Sequence, residues 1–398
     1  MTQQQEQQQQ KQLQKPSAVQ TDEHKRRSLG FLEMMFLVQT VQVGIGLFNL
    51  PRVVVEEAGH PGWIAVLIAG VAAHIAIWIC ILLTRRFPDL DLYGMLTRVY
   101  GKWIGWFFGA VFMLYCVAMS ALVGRTYVEV VQLWMFPTTS TNMFYLLLLL
   151  PCFYAATAGP RVLARLATLV FFATSWMLLL LIAPARQITW DYYFPIFFNT
   201  TLWDLTRAAW KVGASMVGFE LLLIFHTFAK DKKKTLKAAS FGNGITVFIY
   251  LLVTLVSIGF YSAGQIIKVL SPTLHMFQIV ELPLIERIEH IGISTWSFLI
   301  VNTVCTYLWA GGRFLYTFGK WSEPVCVLML FPPVFLIGIM GRDVFFLTKF
   351  ELYLGTIGGL MSTVMPLFLL LSAMILRKRG GTSAPPAPPE DSQEVSVS

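Results

Sequence analysis

Residues 39–51 read Gln39-Thr40-Val41-Gln42-Val43-Gly44-Ile45-Gly46-Leu47-Phe48-Asn49-Leu50-Pro51, and this stretch decides the fold. It lies inside an apolar block long enough to cross a membrane, yet two glycines near its middle weaken a helix there. Intervals of three and four residues place a polar line on one helix face, formed by Gln39, Gln42, Gly46 and Asn49. Polar side chains at this depth must face protein or water rather than lipid. The stretch therefore predicts a transmembrane helix that is interrupted beside a polar cavity.

A matching interruption occurs in a later apolar block, which reads Gly213-Ala214-Ser215-Met216-Val217-Gly218-Phe219-Glu220. A glycine near the centre of this block, Gly218, is closely followed by an ionisable residue, Glu220. The two blocks are five helices apart and run in opposite directions through the membrane. Interrupted helices at corresponding positions of two halves indicate a transporter-like site, built from inverted repeats, with its ligand at the midplane. Glycines in transmembrane helices also serve close packing, and this alternative stays open.

The composition predicts an all-α integral membrane protein. Of the 398 residues, 56% are hydrophobic and 13% are charged, whereas soluble domains carry about 25% charged residues. The apolar residues form blocks of about 20, the length that crosses ~30 Å of hydrocarbon. We therefore predict about ten transmembrane helices. The predicted blocks are 31–55, 62–84, 104–133, 143–159, 162–183, 206–228, 240–262, 292–312, 323–340 and 352–376.

The distribution of charge predicts the orientation and the tails. If the N-terminus is cytoplasmic, most of the 30 Lys and Arg residues fall in inside segments, as the positive-inside rule requires. Both termini are therefore predicted to be cytoplasmic. The transmembrane domain is residues 29–379, between a disordered Gln-rich tail at 1–28 and a disordered Pro- and Ser-rich tail at 380–398. The net charge of +8 does not indicate nucleic-acid binding, because the basic residues lie in short loops between apolar blocks.

The two breaks supply chemistry suited to a zwitterion such as an amino acid. An unwound helix exposes N–H and C=O groups that lipid cannot satisfy. The half-helix that begins near Gly46 presents N–H groups suited to a carboxylate, and the half-helices that end near Val43 and Val217 present carbonyls suited to an ammonium group. The predicted ligand-binding residues are Gln42, Val43, Gly44, Ile45, Gly46, Val217, Gly218, Phe219, Glu220, Asn302, Thr303 and Thr306.

Glu220 is the most informative of these residues, because a carboxylate at the bilayer centre must be paired or protonated. It either couples to a proton or ligand, or it is a structural carboxyl group hydrogen-bonded between helices. Asn302, Thr303 and Thr306 share one face, and they either complete a polar cavity or form interhelical hydrogen bonds. The sequence contains no P-loop, HExxH or Gly-x-Ser-x-Gly motif. We therefore expect no enzyme activity, no catalytic residue, no metal site and no cofactor.

These motifs resemble those of the permease-like B subunits of GerA-type nutrient receptors in endospore-forming bacteria. The resemblance covers residues 28–379. The segments that carry it are Gln39–Gly46, Leu50–Arg52, Ala58–Ile64, Gly218–Leu222 and the lysine cluster Lys230–Lys237. That family belongs to the amino acid–polyamine–organocation superfamily. The resemblance therefore implies a LeuT-like five-plus-five inverted repeat with broken helices 1 and 6.

The resemblance also implies a function. It implies a nutrient germinant receptor subunit that binds a small nutrient, foremost an amino acid, at the membrane midplane and triggers spore germination. The implied location is the inner membrane of the bacterial spore, and the implied partners are a membrane A subunit, a lipoprotein C subunit and the lipid bilayer. A proton-coupled amino-acid transporter is the alternative, because a receptor that evolved from a transporter keeps its site. A membrane scaffold without a ligand is the third hypothesis.

Overall fold

The structure is a computed structural model, and it describes residues 28–195, 200–280, 287–319, 321–340 and 344–378. Within these ranges the chain is helical apart from turns, caps and an isolated parallel bridge between Leu29 and Ala229. The two predicted tails lie outside the described residues, except for Ser28. The all-α prediction is therefore confirmed for the part of the chain that the structure describes.

Ten consecutive spans, numbered in chain order, run through the described ranges, and each overlaps one predicted block. Their helical segments are span 1 (Phe31–Gln42, Ile45–Phe48 and Leu50–Ala58), span 2 (Gly62–Arg86), span 3 (Lys102–Trp134), span 4 (Thr141–Thr157), span 5 (Pro160–Ser175, Trp176–Leu181 and Ile182–Ala185), span 6 (Leu202–Ser215, Phe219–Leu221, Leu222–Phe225 and His226–Phe228), span 7 (Thr235–Phe260), span 8 (Ile288–Phe318), span 9 (Glu323–Leu328 and Phe331–Met340) and span 10 (Val344–Gly359, Leu360–Val364 and Met365–Ile375). Short helices in the connections are Leu92–Tyr100, Trp190–Tyr193, Lys232–Lys234, Ala263–Ile266 and Pro272–Phe277.

The lengths and compositions of these helices suit a membrane. Seven of the described helices are long and apolar enough to cross one, and the two halves of span 6, bent by 53°, make an eighth. Span 4 is a shorter apolar helix, and span 1 is divided by its break. Large apolar side chains cover the outside, such as Trp103 at 84%, Leu202 at 83% and Ile375 at 80% exposed. Such a surface would aggregate in water, so it marks the area that contacts lipid.

The packing of the spans divides into two bundles. Spans 1, 2, 6 and 7 pack on one another, and spans 3, 4, 8 and 9 form a second group in which spans 3 and 8 make the longest contact. Span 5 lies against spans 1 and 8, and span 10 lies against spans 2, 3 and 6. Each half of the chain therefore contributes its first two spans to one bundle and its next two to the other. This repetition is the five-plus-five arrangement predicted from the sequence.

Both described ends of the chain lie on one face of the protein, which we call the terminal face. The Arg86 side chain at the end of span 2 donates to the carbonyl oxygens of Lys378 (2.7 Å) and Ala373 (2.9 Å) at the end of span 10. On the same face, Arg313 forms ion pairs with Asp91 (3.1 Å) and Glu323 (2.9 Å). All three side chains of this ionic cluster are largely buried, so the cluster fastens spans 8 and 9 to the helix Leu92–Tyr100.

The other face, which we call the far face, is closed by the connections after spans 1, 5 and 7. His60 lies 2.6 Å from the carbonyl oxygen of Tyr192, and the N–H of Thr189 donates to the carbonyl oxygen of Gly259 at 2.9 Å. The helix Pro272–Phe277 is mostly buried. This face therefore holds the parts of the chain that cover the outer half of span 1.

Candidate functional site

The break in span 1 covers two residues. Helix Phe31–Gln42 ends where the backbone of Gly44 becomes extended, with φ −97° and ψ −161°, and a short turn of helix resumes at Ile45. Any residue can adopt this conformation, and a Cβ atom at Gly44 would meet nothing within 4 Å. At Gly46, in contrast, a Cβ atom would lie 3.0 Å from Oγ and 3.2 Å from Cβ of Ser215. The close approach of span 6 therefore depends on Gly46 rather than on Gly44.

The break in span 6 depends on Gly218. The first half-helix ends at Ser215, the second begins at Phe219, and Gly218 between them has φ +125°. L-residues rarely adopt this conformation. A Cβ atom at this position would also lie 2.7 Å from Cγ1 of Val41. A glycine is therefore needed both for the turn and for the contact between the two broken spans.

Span 7 holds the two breaks together through polar side chains. The Gln42 amide donates to the carbonyl oxygen of Met216 (3.1 Å) and to Oδ1 of Asn243 (3.0 Å), and it accepts a bond from Thr246 (3.2 Å). The Tyr250 hydroxyl lies 3.0 Å from the carbonyl oxygen of Gln42 and 2.9 Å from that of Ser215. Carbonyls freed by the breaks are therefore satisfied within the protein, as a lipid environment requires.

Glu220 is fully buried at the start of the second half of span 6. Its Oε1 accepts hydrogen bonds from the hydroxyls of Tyr115 (2.8 Å) and Tyr307 (2.9 Å), and its Oε2 accepts one from the N–H of Gly218 (2.7 Å). No ion pair with a basic residue is found for this carboxyl group in the described part of the chain. Three donors stabilise the ionised form of this carboxyl group, whereas full burial without a paired basic residue favours the protonated form. These two effects oppose each other, so the geometry permits either charge state.

The three predicted polar residues of span 8 bind span 1 and their own helix. Asn302 donates to Oγ1 of Thr40 at 2.9 Å, Thr303 lies 3.3 Å from the carbonyl oxygen of Thr40, and Thr306 donates to the carbonyl oxygen of Asn302 at 2.6 Å. These contacts agree with the interhelical hydrogen bonds considered as an alternative. Oδ1 of Asn302 is nevertheless buried without a partner among the described residues. This acceptor remains available close to the break.

A cavity lies beside the break in span 1, between spans 1, 5, 7 and 8 and the helix Pro272–Phe277. The space open to the centre of a water molecule is about 40 Å³. Val43, which belongs to the break in span 1, lines this cavity. The two breaks pack against each other at Gly46 and Gly218, so the cavity lies beside them and not between them. A second void of about 10 Å³, between spans 1, 6 and 8, has Gly218 and Thr306 in its wall. The structure thus places open space on both sides of the contact between the breaks.

The sequence reasoning missed five polar residues of this region. Three of them, Asn243, Thr246 and Tyr250, are spaced three and four residues apart on span 7, a periodicity that would have revealed their common face. The other two, Tyr115 and Tyr307, lie in separate spans and have no such signal. Only the three-dimensional packing brings these two hydroxyls to the same carboxyl oxygen.

Two solved structures share the arrangement of the helices. The crystal structure of MhsT in complex with L-phenylalanine has a TM-score of 0.58 at 14% identity and covers 86% of this chain and 98% of that chain. A substrate-bound outward-open state of a Na⁺-coupled sialic acid symporter has a TM-score of 0.60 at 12% identity and covers 83% of this chain and 77% of that chain. At these identities the likeness concerns the fold, and it confirms the LeuT-like fold with broken helices 1 and 6.

Sequence comparison identifies the family. Spore germination protein GerQB of Bacillus cereus is 30% identical over 302 residues, which are 75% of this chain and 83% of that protein. Spore germination protein A2 of Bacillus subtilis (strain 168) is 25% identical over 347 residues, which are 86% of this chain and 94% of that protein. The sequence profile described as spore germination protein, Spore_permease, matches residues 28–343. The chain is therefore a multi-pass membrane protein that belongs to the permease-like spore germination protein family.

Proposed function

We propose that this protein is the nutrient-binding subunit of a germinant receptor, which binds a small nutrient between its two breaks and triggers spore germination. The observation that carries the proposal is the contact between the broken spans at Gly46 and Ser215 and at Gly218 and Val41. Two interrupted helices meeting at mid-depth form the ligand site of transporter folds. The relatives' names connect this fold to germination.

An amino acid is the nutrient that the region fits best. A ligand's ammonium group can take over bonds that the break carbonyls and the Glu220 carboxyl group now accept, and its carboxylate can take over those that the Tyr115 and Tyr307 hydroxyls now donate. The similar protein MhsT was solved in complex with L-phenylalanine, an amino acid. The twelve ligand residues predicted from the sequence are the first to test: Gln42, Val43, Gly44, Ile45, Gly46, Val217, Gly218, Phe219, Glu220, Asn302, Thr303 and Thr306.

The signal is proposed to be a change in how the breaks are held together. The Gln42 side chain of span 1 donates to the carbonyl oxygen of Met216 in span 6. The Tyr250 hydroxyl of span 7 lies within hydrogen-bond distance of the carbonyl oxygens of Gln42 and Ser215, one in each broken span. A ligand that takes over part of these bonds favours a different arrangement of the half-helices. The resulting shift can be no larger than the ligand's differential affinity for the two arrangements.

The proposed setting is the inner membrane of the spore, with both termini in the cytoplasm. The terminal face carries the lysines of the connection between spans 6 and 7, such as Lys232 and Lys233, which are exposed. Basic residues of this kind remain on the cytoplasmic side of a membrane. A membrane A subunit and a lipoprotein C subunit are the proposed protein partners, and they would receive the change in the half-helices.

A proton-coupled amino-acid transporter is the second candidate function. The observation in its favour is Glu220, a buried carboxyl group that three hydrogen-bond donors surround and that no described basic residue pairs with. Such a group can take up and release a proton during an access cycle. One of the structurally similar proteins is a Na⁺-coupled symporter, so ion coupling occurs in this fold.

The proposed function is tested in spores and with the purified full chain. Spores that lack the gene are exposed singly to a panel of amino acids and sugars, and their loss of optical density is compared with that of the parent strain. Loss of the response to one nutrient, restored by the intact gene, is expected. The purified chain should bind that nutrient in isothermal titration. An unchanged response to every nutrient, together with absence of binding, would contradict the proposal.

A further inference from the structure

Span 2 (Gly62–Arg86) packs on its neighbours through one face and leaves the opposite face exposed. Small buried residues such as Ala69, Ala73 and Ala76 allow the close packing. On the opposite face, exposed residues follow one another at intervals of three, four and seven residues, which keeps them in line along a helix. We call this line the span 2 stripe, and its members are Leu67, Val71, His74, Trp78 and Arg85.

His74 lies at the middle of the membrane. It is the thirteenth of the 25 residues of span 2, so either end of the helix is ~18 Å away at 1.5 Å per residue. The imidazole is exposed, and it has no hydrogen bond or ion pair with another described residue. An ionisable side chain at this depth almost always faces protein or a water-filled cavity rather than lipid. The exposed imidazole therefore indicates that another protein covers the span 2 stripe.

The other members of the stripe define the shape and chemistry of this cover. Val71 is 62% exposed and Trp78 is 50% exposed, so the surface on both sides of His74 is apolar. Intervals of three and four residues are those at which the side chains of two helices interlock. A neutral imidazole has one donor and one acceptor, and a charged one has two donors. A carboxylate or amide oxygen on the facing helix can therefore accept a hydrogen bond from His74 in either state.

A second requirement comes from the end of the stripe at the terminal face. Arg86 donates to carbonyl oxygens of span 10, whereas Arg85 is exposed and has no partner among the described residues. Arg85 follows His74 by eleven residues, which is ~16 Å along the helix axis. The facing helix should therefore carry an acidic side chain ~16 Å from its mid-depth acceptor.

A second copy of this chain does not meet these requirements. Insertion gives every copy the same orientation in the membrane, so a symmetric pair would be related by a two-fold axis along the membrane normal. Such a pair places the same patch of each copy against the other. His74 would then face His74, and Arg85 would face the like charge of Arg85. Charge complementarity thus favours a different protein.

We propose that the span 2 stripe is the docking surface for a transmembrane helix of a different membrane protein. This helix presents a carboxylate or amide oxygen to His74 and an acidic side chain to Arg85. Span 2 packs against span 7 and against the first half of span 6, so a helix docked here adjoins the elements that hold the two breaks together. In the receptor of the proposed function the partner is the membrane A subunit, and to this extent the inference rests on that function.

Photocrosslinking tests the location of the docking surface. The full chain is coexpressed with the C subunit and an epitope-tagged A subunit, and the photoreactive amino acid benzoylphenylalanine replaces Val71. Illumination should join the chain to the A subunit. Leu114 is the matched control, because it is 60% exposed on span 3, in the other bundle. Benzoylphenylalanine at position 114 should give no product with the A subunit.

Variants at His74 test the chemistry of the contact. His74→Leu removes the hydrogen-bonding groups and keeps an apolar side chain. It should reduce the fraction of the chain that copurifies with the tagged A subunit by about tenfold, the effect of one interhelical hydrogen bond in a membrane. His74→Gln retains a donor and an acceptor, so this variant should recover most of the association.

The fold is controlled on the chain expressed alone. His74→Leu removes a polar group from the surface that detergent then covers, so its thermal midpoint should equal or exceed that of the parent chain. Leu114→His makes the reverse change at an exposed position of span 3 and should lower the midpoint. A stable His74→Leu chain that no longer copurifies with the A subunit has therefore lost the contact and not the fold.

The outcomes separate this inference from the proposed function. A crosslink from position 71 to a second copy of the chain would show that the stripe is a dimer interface instead. If the A subunit copurifies with the parent chain, but position 71 gives no crosslink to it or His74→Leu copurifies equally well, the A subunit docks elsewhere and the inference fails. Absence of copurification with the parent chain would contradict both the proposed partner and the inference. None of these measurements uses a nutrient, so the nutrient-binding function is decided by its own test.

Discussion

Gly46 of span 1 lies against Ser215 of span 6, so closely that a Cβ atom at position 46 would be 3.0 Å from the serine Oγ. Contacts at this distance are tighter than nine in ten that real Cβ atoms make. The hydroxyl can rotate away, but the Ser215 Cβ, which would lie 3.2 Å away, is fixed to the backbone. The absence of a side chain at position 46 is thus what allows the two breaks to meet.

The first prediction concerns this contact. Gly46→Val should push the broken spans apart and reduce nutrient sensitivity in spores by at least about tenfold, equal to ~1.4 kcal/mol. Germination is measured as a dose response, and the amount of protein by immunoblot. Gly244→Val is the matched control, because this position is exposed on span 7 and its Cβ atom would meet nothing within 4 Å. A normal response of Gly46→Val at normal abundance would show that the contact between the breaks is not needed.

The second prediction concerns the turn at Gly218. Gly218→Ala places a side chain at φ +125° and against Val41, and the backbone strain alone is about 1–3 kcal/mol. A lower thermal midpoint in detergent is expected, together with a weaker response. Gly213→Ala is the control, since its Cβ atom would have free space in the helix Leu202–Ser215. Equal midpoints for the two variants would contradict the assigned role of Gly218.

The third prediction separates the two interpretations of Glu220. Glu220→Gln can keep its contacts, because tyrosine hydroxyls accept as well as donate hydrogen bonds. The variant should therefore assemble normally, but its response should be shifted or lost if the carboxyl group must ionise. Glu220→Ala removes the acceptor of two hydroxyls and of the Gly218 N–H, at about 1–3 kcal/mol for each donor that stays unpaired. This variant should accumulate poorly.

Dose responses and immunoblots measure both Glu220 variants, with Glu56→Gln at an exposed position as the control. If Glu220→Gln responds like the parent protein, the carboxyl group is structural and needs no charge. If Glu220→Ala accumulates normally, the three donors have found other partners and the network described above does not stabilise the fold.

The sequence predicts the positions of the breaks because their cause is local. Glycines and an ionisable residue inside apolar blocks mark residues 43–46 and 217–220, and the structure interrupts spans 1 and 6 there. The prediction could not distinguish Gly44 from Gly46, since both are glycines in the same stretch. Their difference arises from Ser215, which is distant in sequence.

The sequence could not predict the contacts of these residues, because a helical periodicity identifies which residues share a face but not which element that face packs against. The polar line Gln39, Gln42, Gly46 and Asn49 was predicted on one face, yet its members reach different places. Gln42 bonds span 7, Asn49 bonds Ser271, and Gln39 lines the cavity. The cavity wall comes from four spans and a connection, so no single sequence window contains it.

The fourth prediction tests the orientation of the protein. Lys233→Cys lies on the terminal face and Leu270→Cys lies in the connection between spans 7 and 8, and both positions are exposed. The five native cysteines are buried and should react little with an impermeant thiol reagent. On intact vegetative cells that express the protein, position 270 should be labelled and position 233 should be labelled only after permeabilisation. The opposite pattern would reverse the orientation proposed from the positive-inside rule.

The last prediction separates a receptor from a pump. A pump must return its empty carrier through both access states repeatedly, and an ion gradient must drive the cycle. A dormant spore has little metabolism to maintain a gradient, so a sensor there acts by a ligand-driven shift between two arrangements. A tenfold shift needs a differential affinity of only ~1.4 kcal/mol, which a few hydrogen bonds at the breaks supply. The full chain reconstituted alone in proteoliposomes should therefore bind its nutrient without accumulating it, even under an imposed proton gradient. The Glu220→Gln chain, measured in parallel, should also fail to accumulate the nutrient. Sustained uptake by the parent chain that a protonophore collapses, and that Glu220→Gln abolishes, would instead establish the proton-coupled transporter.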